Sequence, residues 1–177
     1  AMRVLVDGMD LTGKTTLAWR LVEELRANGV PAVRQVGPIV PSGLSRWTQQ
    51  AYRRNAPGSA PVSWGYAACA ALDALLGDDG AEVLVVQEVG PDHAAAFAEA
   101  FGRLLPARLI DAVRPWWPRW DFAVNLRARL PTLQARYRLR DHNDAVDTLL
   151  FTDTERFMAI EDRLAIQPLM LAVLTEG

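Results

Sequence analysis

The chain has 177 residues, a formal net charge of -2, half of its residues apolar and just under a quarter charged. That length supports one domain with a real hydrophobic core, since a chain near this size buries roughly 70% of its unfolded surface, and the composition excludes disorder or a fibrous repeat. The charge excludes the basic excess that nonspecific nucleic-acid binding needs, no apolar run approaches the roughly 20 residues of a membrane span, and a single cysteine, Cys69, excludes an internal disulfide.

Arg3 to Asp7 is a short β-branched run ending at a glycine, and from Thr15 to Ala27 the residues Leu17, Leu21, Val22 and Leu25 fall at helical spacing. Strand, loop and helix are expected in that order. Asn28-Gly29 tolerate the left-handed conformation and stop the helix, and Pro31 forbids its continuation. Ala32 to Val36 reads as a second strand. The Gly-, Pro- and Ser-rich stretch from Gly37 to Ser63 contains a helix candidate at Leu44 to Arg54. Ser63 to Leu76 is an alanine-rich helix ended by Gly77-Asp78-Asp79-Gly80. Val83 to Val86, flanked by Glu82 and Gln87-Glu88, is a near-continuous apolar run that suits a central parallel strand covered on both faces.

Asp92 is placed to cap the next helix, which runs to about Arg103 and resumes to Val113. Pro115 to Trp120 leads into a strand at Phe122 to Leu126, Pro131 to Arg140 is a basic helix, and Asp153 to Leu164 a further one. Ala165 to Gly177 reads either as a strand at Ala165 to Gln167 or as a short helix after Pro168. Alternating strands and helices imply crossover connections and a parallel sheet between helical layers, in a single domain spanning residues 1–177. With no signal-peptide pattern at the start, a cytoplasmic location is the default expectation.

Gly8-Met9-Asp10-Leu11-Thr12-Gly13-Lys14-Thr15 fits the spacing G-x-x-x-x-G-K-[ST], and a chance match in a chain this long is on the order of one in a hundred or less. The motif requires an apolar strand before it and a helix after it, and Val4 to Val6 and Leu17 to Leu25 supply both. Backbone N–H groups of such a loop wrap the β-phosphate of ATP, helped by the partial positive charge of the helix N-terminus. Lys14 then bridges the β- and γ-phosphates, the Thr15 hydroxyl coordinates Mg2+, and Thr16 completes the segment. The bland alternative is a glycine-rich turn that merely joins strand to helix. A guanine-reading Asn-Lys-x-Asp signature is absent from the sequence, which disfavours a GTPase.

From Val6 onward, Val-Asp-Gly-Met-Asp-Leu-Thr-Gly-Lys-Thr-Thr-Leu resembles the loop of the thymidylate kinase family, which has an acidic residue in the loop and Lys-[ST]-Thr after it. Arg34-Gln35-Val36-Gly37 sits where that family has Arg-Glu-Pro-Gly, Leu84 to Val89 where it has an apolar strand ending in Asp-Arg, and Leu133 to Arg140 where it has a mobile lid whose arginines reach the transferred phosphoryl group. The resemblance implies a P-loop kinase of α/β class, a three-layer sandwich with five parallel strands in the order 2-3-1-4-5. By resemblance alone a homodimer is an option. Two departures bear on the acceptor. The chain has Glu88-Val89 at the Asp-Arg position, and Ala67-Ala68-Cys69-Ala70-Ala71 where the family carries a base-reading arginine; apolar side chains cannot imitate a bidentate guanidinium.

Glu88, at the C-terminal end of the central strand, can take the proton of an attacking hydroxyl or orient a magnesium-bound water, against the alternative of a solvated strand-end charge. Asp10 faces the acceptor by resemblance, and Arg34 either contacts the acceptor or is solvated. Arg136 and Arg140 lie one helical turn apart and form either a phosphate clamp or an exposed basic face answering Asp141, Asp144 and Asp147. Trp116, Trp117 and Trp120 are read as packing residues rather than stacking platforms. Trp47, Tyr52, Trp64 and Tyr66 lie between strands two and three, where the related kinases build the acceptor pocket, and Trp47 and Tyr66 are taken as acceptor-binding. His93 and His142 lack partners at ligand or triad spacing and are expected at the surface. Together these readings indicate an ATP- and Mg2+-dependent phosphotransferase acting on a hydroxyl of a nucleoside or another small metabolite. The alternatives are a nucleoside monophosphate kinase, with the acceptor phosphate held by Arg34, Arg46 and Arg53, and a catalytically silent ATP-binding regulator.

Overall fold

The computed structural model describes residues 2–54, 58–77, 82–140, 147–165 and 170–174, with the backbone alone at 53 and 170–174. Five strands form one sheet in the order β2 (Ala32–Val36), β3 (Leu84–Glu88), β1 (Arg3–Gly8), β4 (Phe122–Arg127) and β5 (Met170–Leu174), and every neighbouring pair is parallel. The first four follow the expected order. The fifth departs from expectation in position: a strand is formed by Met170–Leu174, where a helix had been the alternative, and Ala165, where the strand had been expected to begin, ends a helix. Residues 166–169 lie outside the described residues.

Strand alternation sends Val4 and Val6 to one face of the sheet and Leu5 and Asp7 to the other. Val6, Val86 and Leu126 pack with Ala18 and Val22 of α1 (Lys14–Ala27), so α1 covers the first face. Every later connection runs across the sheet in the opposite direction to β1–β2, so right-handed crossovers put α2 (Gly43–Arg54), α3 (Ala60–Leu76), α4 (Pro91–Ala100), α5 (Leu104–Val113), α6 (Leu130–Arg138), α7 (Leu149–Thr152) and α8 (Thr154–Ala165) on the other side. Met9 of the loop joins Phe97, Leu133, Leu150, Phe157 and Ile160 in one buried cluster, which seats the loop and α6 on the same core. A second cluster holds Ala67, Ala70, Ala95, Ile110 and Trp117. No helix among the described residues is long and apolar enough to cross a membrane.

Several boundaries differ from those expected, for local reasons. Asp92 does not cap α4: Pro91 occupies the first turn, the cap is Gly90 in extended conformation, and Asp92 points inward to an ion pair with Arg114 at 3.1 Å. α4 and α5 are separate helices because Gly102 adopts φ 71. α6 stops at Arg138, two residues short of the expected end, so Arg140 is not helical. α3 begins at Ala60 rather than Ser63. α8 starts where expected, with the Asp153 carboxylate accepting the Arg156 amide at 3.1 Å.

Candidate functional site

The loop between β1 and α1 is shaped by three residues in left-handed conformations, Gly8 (φ 134), Leu11 (φ 69) and Gly13 (φ 98). Gly8 cannot be replaced without a clash, because a Cβ there would lie 2.3 Å from the Leu126 carbonyl oxygen on the neighbouring strand. Thr12 fastens the turn by donating its hydroxyl to the Met9 carbonyl at 2.6 Å. The N-cap Gly13 makes no side-chain cap bond and no acidic residue sits in the first turn of α1, so the partial positive charge of the helix start is not offset by its own first turn.

Lys14 is nearly buried. Its Nζ donates to the Gly8 carbonyl at 2.9 Å and to Asp10 Oδ1 at 2.7 Å, so the ammonium is held over the loop. Burial pushes the Asp10 carboxyl up, but the charges of Lys14 and His93 outweigh it and hold the group below the usual carboxylate range. Thr15, one residue on, donates its hydroxyl to Glu88 Oε2 at 2.9 Å. The β1–β3 register sets Glu88 beside Val6, and only 3% of it is exposed. Its other oxygen, Oε1, is ion-paired with Arg34, whose guanidinium also lies 4.8 Å over the Trp19 ring. Arg34 therefore serves Glu88 from the adjacent strand. After Glu88 the chain turns at Val89, which has φ 66, a conformation rare for a β-branched residue.

Two cavities flank Lys14. One, of about 590 Å³, runs along the loop and the start of α1 and is bounded by Arg20, Leu126, Arg136 and Arg140. The other, of about 410 Å³, lies between the ends of β1 and β3 and helices α2, α3 and α4, with Tyr52, Tyr66, Phe97 and Trp117 among its walls. Asp10, Lys14, Thr15 and Arg140 line both. Arg136 donates to the Leu11 carbonyl at 2.9 Å, which ties α6 to the loop, and Arg140 is answered by Asp147 at 3.0 Å. Asp141, Asp144 and His142 lie outside the described residues.

The expected loop residues Gly8 to Thr16 thus come together with Glu88, Arg34, Arg136 and Arg140. Tyr66 lines the second cavity, but Trp47 does not: it is 48% exposed on the outer side of α2, with its ring edge over Gly65. Arg46 is also exposed and lines neither cavity. Trp117 packs as expected, its indole N–H donating to the Ala70 carbonyl at 2.8 Å, whereas Trp116 is exposed. Asp73, which sequence reasoning passed over, holds the loop after β2 by accepting the Ile39 and Val40 amides at 2.9 and 2.7 Å, and burial raises its carboxyl pKa.

The surface position expected for His93 is wrong. His93 is 5% exposed in the first turn of α4, lines the second cavity, and places Nδ1 at 3.0 Å from Asp7 Oδ1. Its ring is stacked on Phe97 with centroids 4.9 Å apart. Nothing in the local sequence signals this, because the partner is 86 positions away.

No protein-family model matches the chain, and no curated protein matches it. Among solved structures, the thymidylate kinase from Candida albicans, an enzyme described as having broad substrate specificity, matches with a TM-score of 0.70 at 13% sequence identity, over 98% of this chain and 83% of that one. What the two share at that identity is the fold: this chain has a thymidylate-kinase-like α/β architecture.

Proposed function

We propose that the chain transfers the γ-phosphoryl group of ATP to a hydroxyl of a nucleoside or another small metabolite. The observation that carries this reading is the meeting of two cavities at one set of side chains, Asp10, Lys14, Thr15 and Arg140. A donor lying along the loop and an acceptor lying between α2, α3 and α4 would face each other across Lys14. Positioning and charge stabilisation are most of what phosphoryl transfer asks of a protein.

The loop amides and the α1 N-terminus would hold the β-phosphate, and Lys14, on leaving Asp10, would reach the β- and γ-oxygens. Arg136 and Arg140 border the donor side and can stabilise charge on the transferring oxygens. The donor set fits Mg2+. Thr15 Oγ1 and Glu88 Oε2 are hard oxygens 2.9 Å apart, and among the described residues no three His, Cys, Asp or Glu side chains form a cage, as suits an ion held by one hydroxyl, waters and the nucleotide. Bound there, Mg2+ would neutralise charge on the phosphates, with Glu88 orienting one of its waters.

The acceptor side supports a hydroxyl rather than a phosphate. Arg34 is committed to Glu88, Val89 offers no charge, and the wall from α3 presents Ser63, Tyr66, Cys69 and Ala70. A coupled ADP-release assay over nucleosides, nucleoside monophosphates and hydroxylated natural products tests the reading. Turnover on hydroxyl acceptors is expected, lost with Lys14→Ala. Efficient turnover confined to monophosphates would contradict the acceptor assignment, and Mg·ATP binding without transfer to any acceptor would point to a silent regulator.

A further inference from the structure

A phosphotransferase acting on a hydroxyl needs somewhere for the hydroxyl proton to go. Glu88 has both oxygens engaged, with Thr15 and Arg34. Asp10 is bonded to Lys14 and held below the usual carboxylate range, so it is a weak base. Of the other carboxyl and thiol groups that line the acceptor cavity, Asp73 accepts the Ile39 and Val40 amides and Cys69 sits against the Thr48 hydroxyl, whereas His93 is the imidazole set between β3 and the aromatic wall. Its position is built: Pro91 starts α4 directly after the Val89 turn, Phe97 stacks on one side of the ring, and Tyr52 meets Phe97 edge-on at 6.4 Å.

Asp7 fixes the other end. Its Oδ1 accepts the Gly8 amide at 2.8 Å and lies 3.0 Å from His93 Nδ1. Burial pushes the Asp7 carboxyl up, but His93, Lys14 and the Gly8 amide together hold it below its ordinary value, so it is an ionised acceptor and Nδ1 is the donor. In the neutral ring this leaves the lone pair on Nε2, which has no hydrogen-bond partner among the described residues, on a side chain that lines the acceptor cavity.

We propose that His93 Nε2 accepts the proton of the acceptor's hydroxyl, and that Asp7 is the positioning residue that holds the imidazole for it; the inference rests on the phosphotransferase reading above. As the acceptor oxygen bonds to the γ-phosphorus, the bond from that phosphorus to the β–γ bridging oxygen breaks and its electron pair leaves with ADP. The hydroxyl proton passes to Nε2, Asp7 balances the imidazolium, and the proton returns to solvent after product leaves. Because Asp7 also holds the first loop amide, one carboxylate sets the acceptor's base and the donor's cradle in register.

Two measurements on the full chain decide this. Nitrogen-15 NMR of the histidine ring in the ligand-free protein, read where the ring carries a single proton, is expected to show that proton on Nδ1 with Nε2 bare; a neutral ring with its proton on Nε2 overturns the proposal whatever the activity. His93→Gln is expected to lower kcat for acceptor phosphorylation about a hundredfold to ten-thousandfold, the usual contribution of a general base, while Mg·ATP affinity stays within about twofold. If the glutamine variant loses its stack on Phe97 and fails to fold, His93→Phe keeps the ring and is judged by the same pair of readouts. Unchanged kcat in a folded variant overturns this inference alone. A wild-type chain that transfers phosphate to no acceptor overturns the reading beneath it.

Discussion

Replacing Asp92 by asparagine should change how stability depends on pH, by an amount that follows from its burial. Asp92 is 2% exposed, and although Arg114 Nη2 lies 3.1 Å from Oδ2, neither oxygen accepts an aligned hydrogen bond from a described residue. Burial raises its pKa from 3.8 to about 6, with Arg114 opposing the rise and Asp7 adding to it. Between those values the folded chain binds the proton more tightly than the unfolded chain does. Stability therefore falls as pH climbs through that window and is level above it. At about 1.36 kcal/mol per unit, the loss is about 3 kcal/mol. Asparagine has nearly the same size and cannot ionise, so it escapes that loss. Asp73 and Glu161, whose pKa values are also raised by burial, titrate in both proteins and cancel in the comparison. Equilibrium urea unfolding at about pH 4 and about pH 7 should show the variant gaining on the wild type by about 2 kcal/mol between the two conditions, because part of the loss has already occurred at pH 4. If the gap stays constant, or the variant loses ground at the higher pH, Arg114 outweighs desolvation and the reasoning fails.

Gly8→Ala should abolish Mg·ATP affinity, since the new Cβ must displace the Leu126 carbonyl 2.3 Å away; calorimetric titration showing retained affinity would refute the loop geometry. Arg34→Met leaves the Glu88 carboxylate buried with Thr15 as its one remaining side-chain partner among the described residues, a loss of about 1–3 kcal/mol in unfolding experiments. Saturating Mg·ATP should then stabilise the variant more than the wild type, and equal gains would remove Glu88 from the magnesium site. Leu133→Ala empties a fully buried position in the cluster joining α6 to the loop and should cost about 2–5 kcal/mol in the same experiment; a cost below about 1 kcal/mol would mean that α6 is not anchored there.

The parts of the molecule that were legible in the sequence are those whose cause is local. The Gly8–Thr15 spacing, the apolar residues of β1 and α1, and the unbroken run at Val83 to Val86 each carry their own signal, and the structure forms strand, loop, helix and strand there. Met170–Leu174 is apolar throughout, and a short continuous run does not distinguish strand from helix by period; pairing with β4 decides it. Asp92 looked like a cap because the residue type is right, but Pro91 had already claimed the first turn. The site was illegible wherever it depends on pairing across the sheet. Arg34 reaches Glu88, 54 positions away, because β2 and β3 lie in register, and His93 reaches Asp7 because α4 returns across the end of β1. Trp47 is aromatic and shares a helix with Tyr52, yet its place on α2 leaves it half exposed.

Val89 carries an uncommon backbone geometry and lines the acceptor cavity. A left-handed turn there is imposed by the run from β3 into α4, and a branched side chain fits it worse than an unbranched one. Exchange at this position consequently meets little resistance from folding, and a long cationic substituent would add positive potential where Val89 supplies none. Under the proposed phosphotransferase reading, cargo preference would in this way be partly separable from nucleotide grip: a replaceable side chain bears on the first, while the second would rest on main-chain amides that no substitution at that position would disturb.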